Sequence, residues 1–137
     1  MRTLNGKRGL HLVVLYLVIG EGRVPWSFRI WRGKGQASPN QLACPLLATV
    51  PKSVIQGRTV IVQADTEFGT VDFLKAVRRR DWRAVVGIKN NRLLQDGRQL
   101  KDLPGKGNRG QQVYLKGMDY PLTISWFWLK RSDNKRE

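Results

Sequence analysis

The chain has a single cysteine, Cys44, and a single histidine, His11, among its 137 residues. One cysteine excludes a disulfide framework and a zinc site built from several thiolates. The lone histidine sits in an apolar run, which favours a core or edge position over a ligand role. It also argues against Ser-His or Cys-His catalysis, because only one imidazole is available to act as the base.

Acidic residues are also scarce. The sequence has 10 Asp and Glu against 25 Lys and Arg, which gives a formal net charge of +15. Self-repulsion at this charge is relieved by a polyanionic partner, and nucleic acid is the most common one, followed by an anionic membrane surface. A generally basic, soluble surface is the simpler alternative. The hydrophobic content of 41% is ordinary for a globular core, and the length suits one compact domain.

The apolar run "LHLVVLYLVI" (10–19) is too short to span a bilayer as a helix. A basic start precedes it, as in a secretory signal, but no small-residue cleavage site follows. Instead, apolar and polar residues alternate through "VPWSFRI" (24–30), which is typical of a half-buried strand. The sequence therefore predicts a hairpin in which 10–19 pairs with 23–31 around a Gly-Glu-Gly turn.

A helix is predicted within "SPNQLACPLLATVP" (38–51). Ser38 is the candidate N-cap, Pro39 suits the first helical position, and Gln41 completes a capping box. Pro45 does not fit, because a proline inside a helix removes a hydrogen bond and kinks or stops the helix.

The middle of the chain predicts a strand, a helix and a strand. "RTVIVQA" (58–64) is nearly unbroken in its apolar character and predicts a strand buried on both faces of a sheet. "TVDFLKAVRRR" (70–80) predicts a helix capped by Thr70, with Asp72 in its positive first turn and arginines in its last turn. "RAVVGIK" (83–89) predicts the next strand, and the element order implies a mixed sheet with packed helices.

From residue 90 the sequence becomes polar, basic and glycine-rich, which predicts a short hairpin and then a loose loop. Two further strands are predicted at 111–117 and 120–131. Trp126, Phe127 and Trp128 alternate along the second of these. Core packing is the favoured interpretation of these aromatic residues, and base stacking is the alternative.

Two carboxylates, Asp65 and Glu67, follow the predicted strand 58–64 directly. Side chains at the carboxyl end of such a strand project into the crevice where α/β proteins bind ligands. In a basic protein, an acid there is a natural ligand for Mg²⁺, and paired ions can stabilise phosphodiester displacement. The alternative is that Asp65 only opens a turn and Glu67 is solvated.

The run "VQADTEFGTVDFLKAVRRRDWRAVVGIKNNRLLQDGRQL" (62–100) resembles the second-aspartate region of insertion-sequence DDE transposases. That region has an apolar strand, Ala-Asp, a variable pair, Phe, often Gly, a helix, and a Val-Val-Gly strand with a basic end. Upstream, "LYLVIGEGRVPWSFRIWRGKGQASPNQL" (15–42) resembles the family's second and third strands and first helix. Downstream, "RGQQVYLKGMDYPLTISWFWLKR" (109–131) resembles its β-rich insertion.

The resemblance implies an α/β, ribonuclease-H-like mixed sheet with flanking helices, incomplete here, over 1–90, and a C-terminal β-rich insertion and truncated tail over 91–137. It further implies three carboxylates that hold two divalent metals, Mg²⁺ or Mn²⁺, for cutting and joining DNA. Asp65 matches the second catalytic aspartate and would be both catalytic and a metal ligand. Glu67 falls in the variable pair and inherits no role.

The other two carboxylates of the family pattern have no match in this sequence. The first should lie ahead of 10–19, where "MRTLNGKRG" has no acid, and the last belongs to a helical pattern that does not surround Glu137. The expectation is an internal, catalytically incomplete piece of a transposase, which lacks strand-transfer activity alone and needs the complete family member for firm Mg²⁺ binding.

DNA binding needs only cations, so it survives this incompleteness. The candidate phosphate contacts are Arg32, Lys34, Arg78, Arg79, Arg80, Lys89 and Arg92. The expected partners are DNA ends and target, with a homo-oligomer in the complete protein, and the expected location is the cytoplasm of a bacterial-type cell, on the nucleoid, with no membrane. The competing hypotheses are a non-enzymatic basic module that binds nucleic acid and a membrane-associated protein anchored by 10–19.

Overall fold

The computed structural model describes residues 2–4, 7–105 and 110–126. The chain divides into two compact units, 1–89 and 90–137. Helices and small sheets alternate, so the predicted α/β class is confirmed at that level. The strands pair as four two-stranded sheets in the described residues.

Two antiparallel hairpins begin the first unit. Strands β1 (Arg2–Leu4) and β2 (Lys7–Gly9) form the first, and β3 (His11–Ile19) and β4 (Gly22–Trp31) form the second. The second hairpin confirms the one predicted from the alternating pattern. Its register shifts between Leu15 and Tyr16, which is a β-bulge.

Helix α1 (Pro39–Leu47) begins at the predicted cap. The Ser38 side chain accepts the Gln41 N–H at 3.4 Å, and the Ser38 N–H donates to the Gln41 side chain at 2.9 Å. Pro45 lies inside the helix, which ends two residues later, in line with the expected effect of proline. A single further turn, α2 (Lys52–Ile55), follows.

The next elements form a parallel β-α-β unit. Strand β5 (Ile61–Ala64) leads through a short 3₁₀ turn to helix α3 (Val71–Arg79), and strand β6 (Arg83–Val86) then pairs in parallel with β5. Thr70 caps α3 by accepting the Phe73 N–H at 3.3 Å, as predicted. Both strands are shorter than the predicted 58–64 and 83–89.

The prediction that the strand in 58–64 is buried on both faces is wrong. Ile61 is 53% exposed, and Val85 on the neighbouring strand β6 is 63% exposed. The apolar sequence suits a strand with neighbours on both sides, but β5 pairs with β6 alone among the described residues. One of its edges and one of its faces are therefore open.

The core of the first unit lies between the β3–β4 hairpin, α1 and α3. The buried side chains are Val13, Ala43, Leu46, Leu47, Phe73, Val77 and Trp82. Full burial of a large apolar side chain contributes about 1.5–3 kcal/mol, so this cluster is what holds the helices on the hairpin.

The second unit contains β7 (Gln111–Val113) and β8 (Leu122–Ile124), which pair antiparallel. A tight loop in which Leu93 bridges Gln99 precedes them and matches the short hairpin predicted after residue 90. The buried apolar side chains of the second unit are Leu94, Leu100, Leu103, Val113, Leu115, Met118 and Ile124. The predicted strand 120–131 extends past Trp126, so Phe127 and Trp128 lie outside the described residues.

No helix in the described parts of the chain is both long and apolar enough to cross a bilayer.

Candidate functional site at the carboxyl ends of β5 and β6

Asp65 follows β5 directly and opens the 3₁₀ turn Thr66–Phe68. Its backbone is extended, and its carboxylate oxygen Oδ1 accepts the Glu67 N–H at 3.0 Å. The side chains of Asp65 and Glu67 are exposed. The carboxylate therefore caps a turn, which is the simpler role foreseen for it, and still has oxygen lone pairs facing solvent.

The parallel pairing determines what lies beside Asp65. Because β5 and β6 run in the same direction, their carboxyl ends meet at one edge of the sheet. The N–H of Gly87, just past β6, donates to the carbonyl of Ala64 at 3.0 Å. Asp65 and residues 87–89 thus share this edge, which we call the carboxyl edge. The predicted placement of Asp65 at the end of a sheet strand agrees with this geometry.

Two glycines hold the loops of the carboxyl edge against each other. A Cβ at Gly69 would overlap the carbonyl oxygen of Gly87, and a Cβ at Gly87 would lie 3.0 Å from the backbone nitrogen of Thr66. Only glycine permits backbones to approach this closely. Both glycines belong to the family pattern that the sequence resembles, which assigns them no role, and a glycine directly after an apolar strand is the signal for such a close approach.

The donor set at the carboxyl edge does not fit a pair of Mg²⁺ ions. Within the described residues, no three Asp, Glu, His or Cys side chains come together in a group suited to a metal. Paired-ion sites rely on several fixed carboxylates, and here Asp65 has only the solvated Glu67 nearby in sequence.

The residues predicted to contact DNA lie in different elements of the structure. Lys89 follows β6, on the side of the carboxyl edge, and is exposed. Arg78, Arg79 and Arg80 are exposed at the end of α3, which begins near the carboxyl edge and runs away from it. With nine residues at 1.5 Å each, the arginines lie about 14 Å along the helix axis from its start.

The remaining candidates stand apart from the carboxyl edge in the chain. Arg32 and Lys34 are exposed in the loop between β4 and α1. Arg92 belongs to the second unit and is half-buried, and its Nε has no hydrogen-bond partner among the described residues. Within the first unit, the Arg78–Arg80 group thus lies at the end of α3 that is remote from Asp65.

No protein-family model, curated protein or solved structure matches this chain.

Proposed function

We propose that this chain is a DNA-binding protein of the insertion-sequence DDE transposase type, with a ribonuclease-H-like core that is catalytically incomplete by itself. The observation that carries the proposal is the exposed Asp65 at the carboxyl end of β5, the first strand of a parallel β-α-β unit. An antiparallel hairpin and a capped helix precede that unit, in the order that the sequence resemblance implies.

DNA binding is supported by the charge and by where it lies. The Arg78–Arg80 group lies at the end of α3, about 14 Å along the helix axis from its start, and Lys89 follows β6 on the side where α3 begins. These exposed cations can contact the phosphates of a duplex, which is binding without base recognition.

Strand cleavage and transfer belong to the complete family arrangement, in which Mg²⁺ or Mn²⁺ is held by three carboxylates. Asp65 supplies one of these oxygen ligands, and the described residues bring no second and third to it. Chain 1–137 is accordingly proposed to bind duplex DNA without cutting it.

Fluorescence anisotropy with a labelled duplex across a salt series tests the DNA-binding part. The logarithm of the binding constant should fall linearly with the logarithm of salt concentration, and Arg79→Gln with Arg80→Gln should reduce the slope by about 2. Arg98→Gln is the matched control, because Arg98 already pairs with Asp96 at 2.8 Å. A salt-independent affinity, or equal effects of both variants, would contradict the proposal.

The transposase part has its own test, in the DNA that flanks the reading frame. An upstream segment that encodes a strand with an aspartate and a downstream segment that encodes a helix with a glutamate, between inverted repeats, would support it. Flanking sequence without these features would leave DNA binding intact and remove the transposase assignment.

A non-enzymatic basic module is the second candidate, and the hydrogen bond from Glu67 N–H to Asp65 favours it, because a turn cap needs no metal. Titration with Mn²⁺ separates the two. A lower Mn²⁺ affinity of Asp65→Asn than of the unmodified protein supports the transposase type. Identical Mn²⁺ titrations of the variant and the unmodified protein support the non-enzymatic basic module.

A further inference from the structure

An open groove in the first unit lies between two sheet edges that have no strand partner among the described residues. Its volume is about 990 Å³, and its two walls are residues 14–19 of β3 and 59–63 around β5. The floor is apolar and comes from Leu47, Val50, Val54, Ile55 and Trp82. We call it the edge groove.

The lining pattern shows that the groove meets the strands edge-on. Successive side chains of a strand point to opposite faces, so a cavity over one face touches every second residue. Here six consecutive residues of β3 and five consecutive residues at β5 line the groove. Of the described residues of β4 and β6, the partners of these strands, only Arg23 takes part.

The hydrogen bonds of β5 identify which backbone groups face the groove. The carbonyls of Val60 and Ala64 accept from Arg83 and Gly87, both at 3.0 Å, so these residues point toward β6. Because backbone groups alternate sides along a strand, Ile61 and Gln63 direct their N–H and C=O to the opposite edge, into the groove. An open edge of this kind is a template for another strand.

From this geometry we propose that the edge groove binds an extended peptide segment from a partner protein, which inserts as a β-strand between β3 and β5. About six residues of the segment would lie in the groove, most of them apolar, which matches the five- and six-residue walls and the apolar floor. Main-chain hydrogen bonds to Ile61 and Gln63 would supply affinity, as in other cases of strand addition.

The positive charge of the edge groove indicates which residues should flank the apolar stretch of the bound segment. The charged side chains that line it are Arg23 and Arg58, and no acid lines it among the described residues. Carboxylates that flank the apolar stretch complement these two arginines, whereas flanking lysines are repelled. The partner segment is therefore an apolar strand with Asp or Glu beside it.

Anisotropy with the labelled peptide acetyl-Glu-Val-Ile-Val-Thr-Val-Ile-Glu-amide tests the proposal. Gln63→Pro removes the groove-facing N–H and leaves the β5–β6 pairing intact, and it should weaken binding at least about tenfold. Ala84→Pro is the matched control, because Ala84 directs its backbone to the far edge of β6 and its replacement should change affinity less than about twofold. Equal affinity for all three proteins, or no binding of the peptide at all, overturns the proposal.

Peptide variants keep the test decisive if Gln63→Pro does not fold, which circular dichroism would reveal. Single backbone N-methylation should weaken binding of the peptide to the unmodified protein about tenfold, because both edges of an inserted strand are bonded. Replacing the two flanking Glu by Lys should also weaken it. An affinity unchanged by methylation would show that the peptide binds through nonspecific hydrophobic contacts without main-chain hydrogen bonds, and would overturn strand insertion.

Discussion

Gly69 and Gly87 lie in backbone contact, one in the loop after the 3₁₀ turn and the other just past β6. A methyl group at Gly69 would overlap the Gly87 carbonyl, so this crossing requires the absence of a side chain at Gly69, and a Cβ at Gly87 would lie only 3.0 Å from Thr66. The contact joins the segment that begins at Asp65 to the end of the adjacent strand. The position of the Asp65 carboxylate thus depends on Gly69 and Gly87, which have no side-chain functional group.

Gly69→Ala should therefore destabilise the protein by about 1–3 kcal/mol, because the neighbouring atom is backbone and has little freedom to move. Urea denaturation followed by circular dichroism measures the change. Gly9→Ala is the matched control, since no atom lies within 4 Å of a Cβ there, and it should change stability by less than about 0.5 kcal/mol. Equal midpoints for both variants would contradict the close crossing.

Asp81 has φ of 59°, the left-handed conformation, just after α3. The helix ends there with the Trp82 N–H donating to the Val77 carbonyl at 3.3 Å and the Asp81 N–H donating to the Arg78 carbonyl at 2.9 Å. Asp81→Gly should raise the free energy of unfolding by about 1 kcal/mol, because glycine adopts this conformation without steric cost. Asp81→Ala keeps the strain and should bring no gain. A gain in thermal stability for alanine as large as that for glycine would argue against this cause.

Ser38 accepts a hydrogen bond from the Gln41 N–H and so satisfies one free donor at the start of α1. Ser38→Ala should lower stability by about 0.5–2 kcal/mol. Ser53→Ala, at an exposed position in the short helix α2, removes the same hydroxyl where no such bond is seen, and should cost less. Chemical denaturation of the two variants side by side checks the prediction, and a larger loss from the Ser53 change would contradict it.

Local signals in the sequence were enough to predict both long helices and the β3–β4 hairpin. Ser38 and Thr70 cap their helices as expected, because a cap involves only residues three apart. The burial of β5 could not be predicted in this way. An apolar strand is buried only if neighbours cover it, and whether neighbours exist is decided by distant parts of the chain.

For the candidate site too, features set by local sequence could be predicted, and features set by distant contacts could not. The position of Asp65 at the end of a strand follows from local pattern, and the structure has it there. The separation of Arg78–Arg80 from the carboxyl edge depends on the direction of α3 within the parallel unit, which periodicity does not give. Likewise, the contact of Gly69 with Gly87 joins residues far apart in sequence, and no alternation or spacing encodes it.

Cys44 offers a readout of how α1 packs on α3. Burial raises the pKa of its thiol above the ordinary value of 9.0, and the negative charge of Asp72 raises it further, whereas the positive charge of Arg79 lowers it. Only the thiolate reacts with a disulfide reagent, so Cys44 should react more slowly at pH 8 in the folded protein than in urea. Asp72→Asn should speed the reaction and Arg79→Gln should slow it.

The raised pKa of the Cys44 thiol also determines how the stability of the folded protein changes with pH. The folded state holds the thiol proton more tightly than the unfolded state, so the contribution of this group is fully present below pH 9 and is lost as the pH rises through the folded pKa. The rate of reaction measured from pH 7 to 11 gives that pKa directly. A rate profile of the folded protein with the midpoint seen in urea, or opposite effects of the two variants, would show that Cys44 does not lie in this environment.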